Sequence, residues 1–179
     1  MRIIGGKLKG RRFEPPASNW PTRPTTDFAR EGLFNILAHR LDFASVKMLD
    51  LFGGTGSHCY EFISRGCTDA TYVDKFPACV RFVRQTAAQL GIEPYLKIYQ
   101  MDVFRFLAYT AEQYDYVFAG PPYALPGLEK LPQKILGAGI LKAGGLFVLE
   151  HNPQHRFSHL PEWTEVRAYG QTHFSFFRG

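Results

Sequence analysis

The segment from Val46 to Gly56, VKMLDLFGGTG, constrains the fold of this chain more than any other. An apolar run that breaks into three glycines within four residues reads as a buried strand turning sharply into a helix, here Ser57 to Arg65 with Gly66 as its stop. The same alternation then repeats. ATYVD, ending at Asp74, is a strand, followed by a helix from Pro77 to Leu90 with Gly91 beyond it. PYLKIYQ is a third strand before a short helix, DVFRFLAYT, and YDYVFAG is a fourth. A helical stretch around Leu128 to Leu136 and a turn at Lys142 to Gly145 lead to a fifth strand, LFVLEH. Strands alternating with helices predict a parallel sheet covered on both faces. TEVRAY and THFSFFR, separated by Gly170, are close enough to pair as an antiparallel hairpin. The expected class is therefore α/β, with a seven-stranded, mostly parallel sheet ending in that hairpin.

The first residues follow a different rule. MRIIGGKLKGRRFEPP alternates short apolar and basic positions around Gly5-Gly6 and Gly10, the pattern of a small hairpin appended to the domain and stopped at Pro15-Pro16. A Pro-punctuated linker from Asn19 to Pro24 follows, which divides the chain into residues 1–24 and a main domain of 25–179. Thr25 or Thr26 caps the next helix, in which Phe28, Leu33, Phe34, Ile36 and Leu37 recur at helical spacing as far as Arg40. Residues 1–30 hold seven Lys or Arg and two acids, leaving 14 basic and 14 acidic residues over 31–179. The body is neutral and the arm basic. Such an arm attracts polyanions by counterion release; the same composition also fits a solvated strand that keeps a protein soluble. No apolar run reaches the roughly 18 residues of a membrane span, and the basic start leads into no signal-type segment, so a cytoplasmic protein is expected. Cys59, Cys67 and Cys79 show no CxxC spacing, which suggests neither disulfides nor a thiolate zinc site.

Strand ends at the carboxyl edge of an open α/β sheet are where ligands bind. The first carries Asp50 and the turn Phe52, Gly53, Gly54, Gly56; its string, DLFGGTG, is not the GxGxxG of diphosphate cradles. The second ends in Asp74, 18 residues beyond Gly56, near the spacing at which an acid takes ribose hydroxyls. The third ends in Asp102, placed to accept from an adenine amino group. Each acid alone also fits a helix cap or a solvated loop. Together the three ends outline one adenosine-sized site. His151, His155 and His159 recur every four residues, but Pro153 and Pro161 break the helix that would align them, so no metal site is expected. His58, just inside the glycine-rich turn, reads as first-turn packing.

The fourth strand ends in Gly120-Pro121-Pro122-Tyr123, and here the chain resembles the class I, Rossmann-like, S-adenosylmethionine-dependent methyltransferases that modify exocyclic amines. Adding RIIGGKLKGRRF, TRPTTDFARE, DLFGGTG with Glu61 and SRG, and YDYVFAGPPY, it is similar over nearly its whole length to the bacterial 16S rRNA guanine-N2 methyltransferase family often called RsmD. The resemblance implies S-adenosylmethionine held by Asp50, Phe52, Gly53, Gly54, Gly56, Asp74 and Asp102. It implies the target base held by Gly120, Pro121, Pro122 and Tyr123, with the aromatic ring stacked on it. It also implies small-subunit ribosomal RNA as partner, met by Lys7, Lys9, Arg11, Arg12, Arg23, Thr25 and Arg30, with no metal and no membrane. One position departs from the family: its Asp before Pro-Pro is Gly120 here, which removes a side-chain acceptor for the amine. Asp115, five residues back on an extended strand, is about 16 Å away and cannot replace it; backbone carbonyls, a water, or Asp27 folded over the site are the remaining substitutes. Two other readings stay open, an adenine-N6 methyltransferase on DNA or RNA and an RNA-binding pseudo-enzyme that transfers no methyl group.

Overall fold

A computed structural model describes residues 1–16, 20 and 24–179; Arg23 and most of the expected linker lie outside the described residues. Helices α1 (Asp27–Arg40), α2 (Ser57–Ser64), α3 (Pro77–Leu90), α4 (Val103–Tyr109) and α5 (Leu131–Gly137) are interleaved with strands β1 (Lys47–Leu51), β2 (Asp69–Asp74), β3 (Leu96–Gln100), β4 (Tyr114–Ala119) and β5 (Leu141–His151). Strands β6 (Trp163–Tyr169) and β7 (Thr172–Arg178) follow. All seven form one sheet in the order β3-β2-β1-β4-β5-β7-β6. It is parallel from β3 to β5 and antiparallel where β7 pairs with β5 and β6. The chain winds outward from β1 to β3, then returns to β4 on β1's other side. The resulting switch point lies between the carboxyl ends of β1 and β4, where ligands bind in open α/β sheets.

Two cores explain why the strands read as unbroken apolar runs. Along β4, Tyr116 and Phe118 enter a core shared with Leu33 and Phe34 of α1, Phe62 of α2 and Val83 of α3. Val117 and Ala119 enter the opposite core, with Phe106 of α4 and Ile135 of α5. The cap of α1 is Thr26, whose Oγ1 accepts from the Ala29 N–H at 3.2 Å. Thr25 is left free for another role.

Three expectations change. The N-terminal hairpin forms, with an antiparallel bridge between Arg2 and Arg12 and the Ile3 and Phe13 N–H groups donating to Arg11 O and Met1 O at 2.9 and 3.0 Å, but it is tied to α2. The Ile4 and Gly5 N–H groups donate to the Glu61 carboxylate, each at 2.9 Å, and the Leu8 N–H donates to Ser64 Oγ at 2.9 Å. Ile3 and Phe13 are buried in the main core, so the arm is packed into the domain and is not an appendage. The turn expected at Lys142 to Gly145 is absorbed into β5 as an irregularity, with the register against β4 shifting between Tyr114 and Tyr116. Phe28, read as one of the apolar positions of α1, is 68% exposed and stands edge-on to Tyr169.

Candidate active site

The glycine-rich turn is held open by specific contacts. Phe52 adopts a left-handed φ of 58°, costly for a bulky residue and typical of turns kept strained for function. Gly53 donates its N–H to Val73 O at 3.0 Å, and a Cβ on it would lie 2.3 Å from the Tyr72 ring, so only glycine fits. Gly56 has φ +80° and starts α2. Asp74 anchors the turn from β2: one carboxylate oxygen accepts from the Gly54 N–H at 2.9 Å and the other from the Phe76 N–H at 3.0 Å. Burial raises its pKa against these hydrogen bonds. Asp50, 1% exposed at the end of β1, receives its one hydrogen bond among the described residues from the Cys59 thiol at 3.5 Å. Loss of solvent pushes its pKa up to about 8.

These groups border a cavity of about 650 Å³ over the ends of β1, β4 and β5, lined by Asp50, Phe52 to Thr55, His58, Gly120 to Ala124, Glu150 and Tyr169 to Thr172. The start of α1, with Thr25, Phe28 and Arg30, closes one side. His58 packs as expected, its ring stacked on Phe118 with centroids 3.8 Å apart and its Nε2 2.8 Å from the Tyr116 hydroxyl. Burial holds its pKa well below the usual imidazole range, so it is a neutral wall of the cavity.

The decisive group is one the sequence reading passed over. Glu150, near the end of β5 and 7% exposed, reaches the Pro-Pro-Tyr turn. The Tyr123 hydroxyl donates to its Oε2 at 2.7 Å and Thr25 Oγ1 donates to its Oε1 at 2.6 Å. Burial raises its pKa despite both donors. An acid closing an otherwise apolar strand, LFVLEH, was the available signal. It is the same signal that singled out Asp50, Asp74 and Asp102.

Several expected site residues sit elsewhere. Asp102 caps α4, its Oδ1 accepting from the Phe104 and Arg105 N–H groups at 2.9 and 3.2 Å. Asp102 and Asp74 lie outside the lining of this cavity, which gathers the ends of β1, β4 and β5; Asp74 stands behind it, joined through the Gly54 N–H. Arg30, expected at RNA phosphates, is 2% exposed. Its guanidinium donates to Asp27 Oδ1 at 2.7 Å and Arg2 O at 2.6 Å, which takes it off the surface. Asp27, considered as a replacement acceptor, is drawn into this pairing with Arg30 and Arg2 and does not line the cavity. Thr25, half-buried, donates to Glu150 and lines the cavity. Lys7, Lys9, Arg11 and Arg12 are exposed as expected. His151 donates its Nδ1–H to Asn152 O, its Nε2 lies 2.7 Å from Ser175 Oγ, and no three His, Cys, Asp or Glu among the described residues are grouped to hold a metal ion.

A doubly wound sheet with a glycine-rich turn after β1 and a Pro-Pro-Tyr turn after β4 defines a class I methyltransferase. The chain belongs to the family described as conserved hypothetical protein 95, whose model matches residues 1–178, and it is an RsmD-like methyltransferase. The YlbH protein of Bacillus subtilis (strain 168) is 32% identical over 96% of this chain and 95% of its own length. Ribosomal RNA small subunit methyltransferase D of Escherichia coli (strain K12) is 30% identical over 90% of this chain and 79% of its own. Among solved structures, a hypothetical protein of Thermus thermophilus superposes with TM-score 0.87 at 31% identity, covering 100% of this chain and 99% of that one.

Proposed function

We propose that this protein transfers a methyl group from S-adenosylmethionine to the exocyclic N2 of a guanine in small-subunit ribosomal RNA. One observation carries the reading: a single cavity joins the glycine-rich turn to the Pro-Pro-Tyr turn and is lined by two buried carboxylates, Asp50 and Glu150, with no cation paired to either among the described residues. Uncompensated buried acids suit a ligand that brings its own positive charge, as the sulfonium and ammonium of S-adenosylmethionine do. The residues present thus fit the cofactor. Asp50 and the Phe52 to Gly54 backbone would hold it from β1, and Asp74 has lone pairs left for ribose hydroxyls beside the two backbone N–H groups it accepts. Bound there, S-adenosylmethionine supplies an electrophilic methyl group.

The protein's own part is positioning and electrostatics. A guanine amine is a poor nucleophile because its lone pair is delocalised into the ring; holding it in line and accepting its hydrogens favours a pyramidal nitrogen. Tyr123, half-buried beside Pro122, presents a ring on which a base can stack while its hydroxyl is fixed by Glu150. The names of the relatives supply the substrate: the E. coli relative is named for small-subunit ribosomal RNA. A Thermus thermophilus 16S rRNA N2 methyltransferase, RsmC, solved with AdoMet and guanosine, shares the fold at TM-score 0.72 and 20% identity, over 99% of this chain and 49% of that one. No helix among the described residues is long and apolar enough to cross a membrane.

The test is transfer of tritiated methyl to small-subunit RNA from cells lacking the enzyme, both naked and in the assembled particle, followed by nucleoside analysis. N2-methylguanosine in either substrate supports the reading. N6-methyladenosine replaces it with the adenine alternative, and cofactor binding without transfer to either leaves an RNA-binding pseudo-enzyme.

A further inference from the structure

Gly120 leaves the Pro-Pro-Tyr turn without an acidic side chain of its own, yet the turn is not without a carboxylate. A Cβ built on Gly120 would lie 4.0 Å from Glu150 Oε1 and 3.1 Å from Phe118 Cε2. An aspartate at 120 would hold its oxygens roughly 2.4 Å from that Cβ, by ordinary carboxyl geometry. Its carboxylate and that of Glu150 would therefore compete for one region of the cavity. Glu150 reaches that region from the neighbouring strand. Gly120 has no positive φ, so a side chain there would meet no backbone strain, and the tightest neighbour of its Cβ is the Phe118 ring.

We propose that Glu150 is the group that accepts the hydrogens of the target amine, acting from β5 where the turn after β4 offers only backbone. The inference rests on the methyltransferase reading above. Three features of the site support it. Glu150 lines the cavity beside Tyr123, the residue placed to stack on the base. Thr25 and Tyr123 each donate to a different oxygen, which fixes the carboxylate plane and leaves one lone-pair direction on each oxygen for a ligand. No Lys or Arg pairs with Glu150 among the described residues, so its charge is available to polarise an N–H group in a site shielded from water. In the reaction the amine lone pair forms the new N–C bond as the C–S bond breaks. The C–S electron pair stays on sulfur, now a neutral thioether, and the proton shed by nitrogen passes to the Glu150 carboxylate.

The experiment is a reciprocal exchange of the carboxylate between two strands. Glu150→Gln keeps the size, with its amide oxygen accepting from one hydroxyl and its NH2 donating to the other once that hydroxyl turns, so the variant should fold and still bind S-adenosylhomocysteine measurably in calorimetry. Its single-turnover methyl transfer should fall about 10²–10³-fold, the usual cost of losing one preorganised polar group. Gly120→Asp alone should also slow transfer, because it forces a second carboxylate against the first. The double variant Gly120→Asp/Glu150→Gln should recover at least tenfold over Glu150→Gln. A merely structural glutamate would not be rescued from another strand. Wild-type transfer by Glu150→Gln, or a cofactor-binding double variant no faster than Glu150→Gln, overturns the assignment while leaving the methyltransferase reading intact. A wild-type protein that binds cofactor but methylates no small-subunit RNA overturns that reading and the inference with it.

Discussion

Asp50 is a buried carboxylate whose titration burial displaces strongly upward. Its carboxyl ionises near 3.8 when solvated but is pushed up to about 8 by burial in the fold. Between those values the folded state holds a proton that the unfolded state has lost, so stability falls as pH rises through this window and the loss levels off above pH 8. Asp50→Asn removes the dependence. Calorimetry should find the variant more stable than wild type at pH 9, by roughly 1–3 kcal/mol, with the difference gone near pH 4. Equal melting curves at pH 9 would show that Asp50 is not desolvated as described. A cation beside Asp50 favours its ionised form, so cofactor binding at pH 7 should release up to one proton, read as a dependence of binding enthalpy on buffer. Asp74 anchors the turn and, on the proposed function, takes the ribose hydroxyls of the cofactor. Asp74→Ala should weaken S-adenosylhomocysteine binding by roughly 1.5–3 kcal/mol, as for a hydrogen bond to a charged group; unchanged affinity would remove Asp74 from the site.

Among the elements, α1 matters beyond its own stability because its start walls the cavity, and the N-terminal arm packs behind it through Arg30. Thr26 caps α1 and so fixes Thr25 against Glu150. Thr26→Ala should cost about 1 kcal/mol and lower Tm by roughly 2–4 °C for a chain of this size. The arm is held through Glu61 of α2, fully buried and accepting from Ile4, Gly5 and Arg65, with the buried Arg30 guanidinium 3.6 Å away. Truncating it strands both the arm's N–H groups and a buried cation. Glu61→Ala is expected to destabilise by roughly 3–5 kcal/mol in denaturant unfolding. A loss below about 1 kcal/mol would mean that the arm is held by its apolar contacts, Ile3 and Phe13, alone.

For the whole molecule, the proposed function gives the basic arm and the acid-lined cavity one RNA ligand to share. The base of the arm touches Asp27 and Arg30 beside the cavity, and its tip reaches Ser64 at the far end of α2. Neutralising Lys7, Lys9, Arg11 and Arg12 together should flatten the slope of log affinity against log salt by about 2.8–3.6, with S-adenosylhomocysteine affinity unchanged; an unaltered slope would return the arm to a solubility role. The sequence by itself determined the order of elements, because apolar periodicity and Gly or Pro stops act over a few residues. It likewise determined the parallel sheet with its closing hairpin, the glycine-rich turn and the Pro-Pro-Tyr turn. Only the tertiary structure decided which charges share a space. Asp102 became a cap and Arg30 a buried partner of Asp27 because neighbouring backbone and side chains claimed them. Glu150 came to stand at Gly120 because β5 pairs with β4, an adjacency between residues 30 apart in sequence that no local pattern encodes.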